Sequence, residues 1–445
     1  MGCNTENGSL PFMTLRFADR RHFLASLYKA AVRSALPEVC LAPHLPPAPK
    51  GRLVILALGK AAASMAAAAE AHYAKMPGTK ISGLALTRYG HARPTRFVDV
   101  VEASHPVPDE AGVAASRRML GLARELGPDD LALVLLSGGG SALAALPIEG
   151  VSLADKQALT RALLASGAPI AEINCVRKHL SLIKGGGLAA AIAPARFVTL
   201  AISDVAGDDP SVIASGPTVA DPTTRADALG ILERRAIEVP AHLREALKAA
   251  PETPKPGAPI FAGARYEIAA SGAGALTAAA ALASARGYEI VDLGDRIEGE
   301  ARDVAAAHAR LALEARASGC RRAFLSGGET SVTIEAGTKP GHGGRNQEYA
   351  LALALALGGA SGISALAGDT DGIDGGWGDA GDPAGAFVLP DTLARAAACG
   401  IDAADLLARH DSGAFFDQLG DLLRTGPSFT NVNDFRVILV EADQP

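Results

Sequence analysis

Through most of its length the chain repeats one pattern, an apolar run of strand length followed by an alanine-rich run of helical length. Consecutive strands joined by helices pair side by side in parallel when each helix crosses a sheet face, so the alternation predicts parallel sheets covered by helices on both faces. The runs that read as strands are 53–58, 81–87, 97–102, 131–136 and 197–202, followed by a second series at 289–293, 323–325, 331–335, 362–367, 385–389 and 435–440. A chain of 445 residues is too long for one ordinary core and suits two α/β lobes. Between the two series lies 240–259, with proline at 240, 251, 254, 256 and 259. Prolines at that density break regular elements, which places the domain boundary there, giving residues 1–240 and 241–445.

Composition narrows the function classes. Hydrophobic residues make up 49% and charged residues 20%, the balance of a folded enzyme rather than a disordered chain. The net charge of -6 comes without a long block of like charge, so neither nucleic acid nor a membrane surface is expected as a partner. The stretch 349–368 is nearly uncharged, but glycines at 358 and 359 interrupt it, and it reads as a buried helix turning into a buried strand. The five cysteines, Cys3, Cys40, Cys175, Cys320 and Cys399, are scattered and never in a C-x-x-C pair. That argues against a disulfide frame or a zinc site and for a reducing compartment. The N-terminus lacks the pattern of a secretory signal, so a cytoplasmic location is expected.

Several short motifs could carry chemistry. Gly59-Lys60 follows an apolar strand and precedes a helical run at 61–70, bringing backbone N–H groups and an ammonium to a helix start. That suits a phosphate or carboxylate, although a surface lysine on an amphipathic helix accounts for the same residues. Ser137-Gly138-Gly139-Gly140-Ser141 also follows a strand, and its glycines let backbone amides approach an anion closely. Phe324-Leu325-Ser326-Gly327-Gly328 echoes it in the second series. In 174–187, Asn174, Arg177 and Ser181 would share one helix face beside Lys178 and Lys184, ahead of Gly185 and Gly186. Such a basic face could reach nucleotide phosphates or simply be solvated. Asp204, with Asp208 and Asp209 close behind, ends an apolar strand, where a carboxylate can hold Mg²⁺ or accept a proton. Gly343-Gly344-Arg345 sets a guanidinium fork at the start of a helix over 346–357. Asp369, Asp371 and Asp374 again place acids after a strand, without the spacing of a calcium loop.

Taken together and in order, Gly59 to Ala62, Ser104 to Asp109, Ser137 to Ala142, Arg177 to Ser181, Ile183 to Gly186 and Ser203 through Thr218 resemble the N-terminal part of glycerate 2-kinases. Gly343 to Glu348, Thr370 to Gly375 and Thr430 to Asp434 resemble their leucine-rich C-terminal module, called MOFRL. The resemblance implies two three-layer α/β/α domains, the first Rossmann-like, around a deep cleft. It implies a monomer or homodimer that uses ATP and Mg²⁺, or another divalent cation, to phosphorylate D-glycerate at its 2-hydroxyl. By that likeness Lys60, Arg345 and Asp204 are the catalytic candidates. Ser137, Gly138, Gly139, Gly140, Ser141, Lys184, Gly185, Gly186 and Asp208 are the nucleotide-binding ones, and Asp204, Asp369, Asp371 and Asp374 the metal ligands. Gly187 where relatives often have arginine, a long 376–383 link and Phe429 in place of a small residue are departures that bear on substrate fit. Some relatives are called hydroxypyruvate reductases, which leaves an NAD(P)H-dependent reductase as the alternative. Its G-x-G-x-x-G fingerprint is approached only at Gly272-Ala273-Gly274-Ala275-Leu276-Thr277, with threonine at the third position.

Overall fold

A computed structural model describes residues 17–442, except 336, 338 and 377. Cys3 and Trp377 therefore lie outside the described residues. The chain divides into two compact units: one is Val32–Gly274 with Ser428–Val432, and the other takes the chain up to Ala31, Ala275–Pro427 and Asn433 onward.

The first unit is built on six strands, β1 (Arg52–Leu58), β2 (Lys80–Arg88), β3 (Val98–Ala103), β4 (Leu131–Leu136), β5 (Arg196–Ile202) and β6 (Arg265–Ala270). They pair in the order β3-β2-β1-β4-β5-β6, every pair parallel. This is the strand order of a doubly wound sheet. Every residue of β4 is buried, because helices cover both faces, and this is why it reads in sequence as an unbroken apolar run. Val54, Leu56, Leu58, Leu84, Leu86, Val134 and Leu136 pack with Met119, Leu120 and Ala123 of the helix Glu110–Arg124. Each large side chain buried this way contributes about 1.5–3 kcal/mol. The Asp109 carboxylate starts that helix by accepting from the Gly112 amide at 3.0 Å. Strand β6 was not foreseen: it follows the proline-rich stretch, and its residues are only half buried, so it lacks the apolar signature of its neighbours.

After β1 the chain winds outward through β2 and β3, then returns to the other side of β1 to make β4. The adjacent carboxyl ends of β1 and β4 therefore form the switch point of the sheet, where open α/β sheets bind ligands.

The second unit contains β7 (Glu289–Asp292), β8 (Ile297–Glu300), β9 (Arg322–Ser326), β10 (Gly328–Ser331), β11 (Ile363–Asp369), β12 (Gly385–Val388), β13 (Leu422–Leu423) and β14 (Asp434–Val440). Its main sheet has the order β13-β12-β11-β14-β9-β7, and β8 pairs with β10 alone. Here the expectation of a parallel sheet needs correcting. Only β7 and β9 are parallel in the main sheet; the pairs from β9 through β14, β11 and β12 to β13 are antiparallel. Among the described residues no helix joins β11 to β12, so a parallel crossover is not available to them. Both faces of β11 and β14 are buried, which gives them the continuous apolar run expected of parallel strands and hides their direction.

The strand expected at 331–335 is also displaced, to Gly328–Ser331. At its last residue the Ser331 hydroxyl donates to the Glu300 carboxylate at 3.2 Å, and beyond it the Thr333 amide donates to the same carboxylate at 3.1 Å in place of further ladder pairing. The helix expected at 61–70 runs Ala62–Tyr73, and the one at 346–357 runs Arg345–Leu357. The stretch 349–368 becomes the latter helix followed by β11, as its composition indicated. Among the described residues no helix is long and apolar enough to cross a membrane.

Candidate active site

In the first unit the switch point is where the glycine motifs converge. The Lys60 amide donates to the Gly138 carbonyl at 2.8 Å, the Ser137 amide to the Leu58 carbonyl at 2.9 Å, and the Ala61 amide to the Ser137 hydroxyl at 3.0 Å. The Thr87 hydroxyl donates to the Lys60 carbonyl at 3.0 Å. These bonds fix the lysine at the entrance of the helix Ala62–Tyr73 directly beside the turn that follows β4. Two glycines make the approach possible. Gly59 has φ +126°, and a Cβ there would lie 2.4 Å from the Ser137 carbonyl oxygen. At Gly138 a Cβ would lie 1.7 Å from Oδ2 of Asp204, so only glycine lets that carboxylate press against the turn. Gly139 sits between His105 and the stem of Lys60: a Cβ there would be 2.9 Å from His105 Nε2 and 3.2 Å from Lys60 Cγ. Asp204 also accepts from the Asn431 side-chain amide at 3.0 Å. Lys60, the 137–140 turn, Asp204, His105 and Asn431 thus form one cluster. His105 and Asn431 lay in motifs singled out by resemblance, but nothing in the sequence gave them a contact.

Other candidates in this unit have different partners. Ser141 Oγ lies 2.7 Å from Ser215 Oγ. The Lys184 ammonium, almost fully buried, donates to the carbonyls of Ser141 and Ala144 at 2.5 and 3.0 Å. Burial, and then the charges of Lys156 and Arg177, lower its pKa well below the ordinary lysine value. The Gly185 and Gly186 amides donate to the Ser215 and Gly216 carbonyls at 3.0 and 2.8 Å, so these glycines secure one loop to another. The helix Ile170–His179 carries Asn174 and Arg177 but ends before Ser181. Its Lys178 is buried 3.6 Å from Asp221, a structural ion pair. Asp208 closes its own loop, with φ +56° and its amide on the Val205 carbonyl at 3.0 Å.

The second unit has its own cluster, at the start of the helix Arg345–Leu357. The Arg345 guanidinium donates from Nε to Asp434 at 2.8 Å, from Nη1 to Glu329 at 2.8 Å and from Nη2 to Asp369 at 2.9 Å. Burial by itself would lower its pKa, but the three carboxylates outweigh this and raise it, so the charge is permanent. Asp434, fully buried, is the hub. It also accepts from the Asn346 side chain at 2.7 Å and the Thr330 amide at 3.2 Å, and is paired with the buried Arg436. Asp374 accepts from the backbone amides of Asn346 and Gln347 at 3.0 and 2.8 Å and from both of their side chains, capping the helix. Burial pushes its pKa up to about 6, against the pull of those amides. Asp371 Oδ1 accepts from the Ile373 amide at 2.9 Å, and its own amide is held by Asp369 at 3.0 Å. Sequence reasoning found Arg345 and the acids at 369–374 but missed Glu329 and the central role of Asp434.

For a divalent cation the donor chemistry is uneven. Asp374 is a poor ligand because its oxygens are committed to four N–H groups and it resists ionisation. Asp204 and Asp371 are partly exposed carboxylates of the hard-oxygen type that Mg²⁺ prefers. Among the described residues no group of three or more His, Cys, Asp or Glu is arranged to hold a metal by itself.

Comparison with known proteins places these clusters in context. Residues 23–248 match the family model described as a domain of unknown function, DUF4147, and residues 322–434 match the MOFRL family. A protein of Agrobacterium vitis, provisionally named hydroxypyruvate reductase, is 50% identical over 432 residues, covering 96% of each chain. The D-glycerate 2-kinase of Thermotoga maritima is 39% identical over 420 residues, covering 93% of this chain and 97% of its own. A crystal structure of glycerate kinase from the same organism superimposes with a TM-score of 0.86 at 38% identity, covering 95% of this chain and all of that one. The chain belongs to the glycerate 2-kinase family. In this glycerate 2-kinase family member the DUF4147 match contains Lys60, the 137–141 turn and Asp204, and the MOFRL match contains the whole Arg345 cluster, from Glu329 to Asp434.

Proposed function

We propose that this protein is an ATP-dependent kinase that transfers the γ-phosphoryl group of ATP to the 2-hydroxyl of D-glycerate, giving 2-phospho-D-glycerate and ADP. The observation that carries the proposal is the bond between Lys60 and the glycine turn at the sheet's switch point, in a chain aligned almost end to end with a protein named D-glycerate 2-kinase. Phosphoryl transfer needs charge neutralised on the phosphates and a hydroxyl aimed in line, and little covalent help. Lys60 supplies a cation beside backbone that can approach an anion closely. Asp204, next to the same turn, accepts the hydroxyl proton, with Asp371 as the second candidate. Mg²⁺, if bound, would offset charge on the phosphates, and in the first unit Asp204, beside the turn, is the carboxylate that would hold it.

Arg345 takes the carboxylate of glycerate. Two of its three edges stay on the buried acids Asp369 and Asp434, while Nη1 rests on Glu329, whose side chain is 55% exposed. A substrate carboxylate replaces Glu329 at that edge without unpairing a buried charge.

A second reading, NAD(P)H-dependent reduction of hydroxypyruvate, is favoured by the name of the Agrobacterium vitis relative. Against it, the helix Gly272–Ser284 that follows β6 has Thr277 where the dinucleotide fingerprint needs a small residue. One pair of assays separates the two. ADP release with D-glycerate and ATP, with NMR locating the phosphate on carbon 2, is the expected result. NADH oxidation by hydroxypyruvate without any ADP release would overturn the proposal.

A further inference from the structure

Residues 428–432 lie in sequence between β13 and β14 of the second unit, yet they belong to the first. Contacts within that unit hold them there. The Ser64 hydroxyl, on the helix that Lys60 precedes, donates to the Phe429 carbonyl at 2.7 Å, and the Thr430 hydroxyl donates to the Ala35 carbonyl at 2.6 Å. The Phe429 ring meets the His91 ring edge-on, with centroids 5.6 Å apart, and the Arg93 guanidinium lies over it at 3.6 Å. Phe429 has φ +59°, a left-handed backbone that a bulky side chain adopts only where its surroundings enforce it. The phenylalanine at this position thus clamps the segment through groups on the loop after β2. Two residues further on, the side-chain amide of the buried Asn431 donates to Oδ2 of Asp204 at 3.0 Å, the same oxygen that stands against Gly138.

A reacting group works only when its neighbours lock its direction, and a misplacement of about 1 Å can cost roughly a hundredfold in rate. Gly138 sets how closely the Asp204 carboxylate approaches the turn, and the Asn431 amide sets which way it faces. We propose that Asn431 is a positioning residue for Asp204, and that the 428–432 strap, clamped through Phe429, is the element that delivers it. The strap falls within the MOFRL match at 322–434, so residues outside the DUF4147 match complete the cluster around Lys60 and Asp204. The proposal rests on the reading of Asp204 as a reacting group above, and not on which of the two reactions it serves.

The test is a double-mutant cycle on the full-length protein. The wild type, Asn431→Ala, Asp204→Asn and the double variant are compared in kcat and KM by ADP release from ATP with D-glycerate, with urea unfolding alongside. Asn431→Ala is expected to lower kcat about tenfold to a hundredfold with KM for both substrates nearly unchanged. In the Asp204→Asn background the same substitution is expected to cost less than about twofold, because a residue that acts through another has nothing left to act on. An equal loss in both backgrounds, a kcat of Asn431→Ala close to that of the wild type, or an Asp204→Asn protein as active as the wild type overturns the proposal. If the wild type releases no ADP but oxidises NADH with hydroxypyruvate, the kinase reading falls and the same four proteins are compared in that reaction. A wild type active in neither assay overturns both. Should Asp204→Asn leave no measurable turnover, Asn431→Asp decides. It fills the same space but sets a second charge against Asp204, so its kcat should fall below that of Asn431→Ala, and an equal or smaller loss overturns the proposal. Should Asn431→Ala fail to fold, Asn431→Leu carries the same cycle.

Discussion

The backbone amide of Lys60 donates to the carbonyl of Gly138 at 2.8 Å, which ties the loop after β1 to the loop after β4 at the one place where the first sheet reverses its winding. The proposed chemistry of the first unit depends on that tie, because it fixes where the lysine begins.

Gly138→Ala tests it directly. A Cβ 1.7 Å from the Asp204 carboxylate must push the turn or the acid aside. A displacement of that size should cost about 1–3 kcal/mol of stability and roughly a hundredfold in kcat/KM. Near-normal turnover would mean that the contact between the turn and Asp204 has no part in the reaction.

Lys60→Ala removes the ammonium and leaves the backbone bond to Gly138 in place. Turnover should fall by about a hundredfold or more while the circular dichroism spectrum and Tm stay close to those of the wild type. A small effect on kcat would remove Lys60 from the mechanism.

Arg345 cannot be tested cleanly by truncation. Removing it leaves Asp434 and Asp369 buried without their partner, at a cost of about 3–5 kcal/mol, so lost activity in Arg345→Ala could simply report lost structure. Glu329→Gln is the sharper experiment, because it frees the exposed edge of the fork and touches no buried charge. The expected outcome is a severalfold lower KM for glycerate with kcat little changed; an increase in KM would contradict the exchange of Glu329 for substrate.

His308 predicts part of the pH dependence of stability. It is buried on the helix Ala301–Ala317 with Nδ1 2.8 Å from the Tyr349 hydroxyl, and burial, then the charge of Arg436, lowers its pKa to about 4. In the unfolded chain it titrates near 6.5, so between about pH 6.5 and 4 the unfolded state binds a proton that the folded state refuses. The stability linked to His308 is therefore complete above pH 6.5 and is lost as the pH falls through about 4, by roughly 3 kcal/mol in all. Urea unfolding of the wild type and His308→Gln across that range should show a shallower acid slope in the variant. Equal slopes would show that His308 titrates alike in both states.

How much of this was readable in advance differs by residue. The first sheet was legible because β1, β4 and β5 are buried on both faces, and local runs of leucine and valine report that burial faithfully. Lys60, Ser137 to Gly140 and Arg345 were legible because each sits where a strand or glycine loop gives way to a helix, a transition visible within a few residues. The partners were not legible. Asp434 lies 89 residues from Arg345, and Asn431 lies 227 from Asp204.

By itself, then, the sequence determined the alternation of strands and helices, the glycine turns at strand ends and the residue types available for binding anions. The tertiary structure alone decided that the second sheet is mostly antiparallel, that the amides of Gly185 and Gly186 hold a neighbouring loop, and which carboxylates meet Arg345. The reason is the range of the forces involved. Burial leaves its mark on adjacent residues through the period of the backbone, whereas strand direction and the partner of a buried charge depend on segments brought together only when the chain has folded.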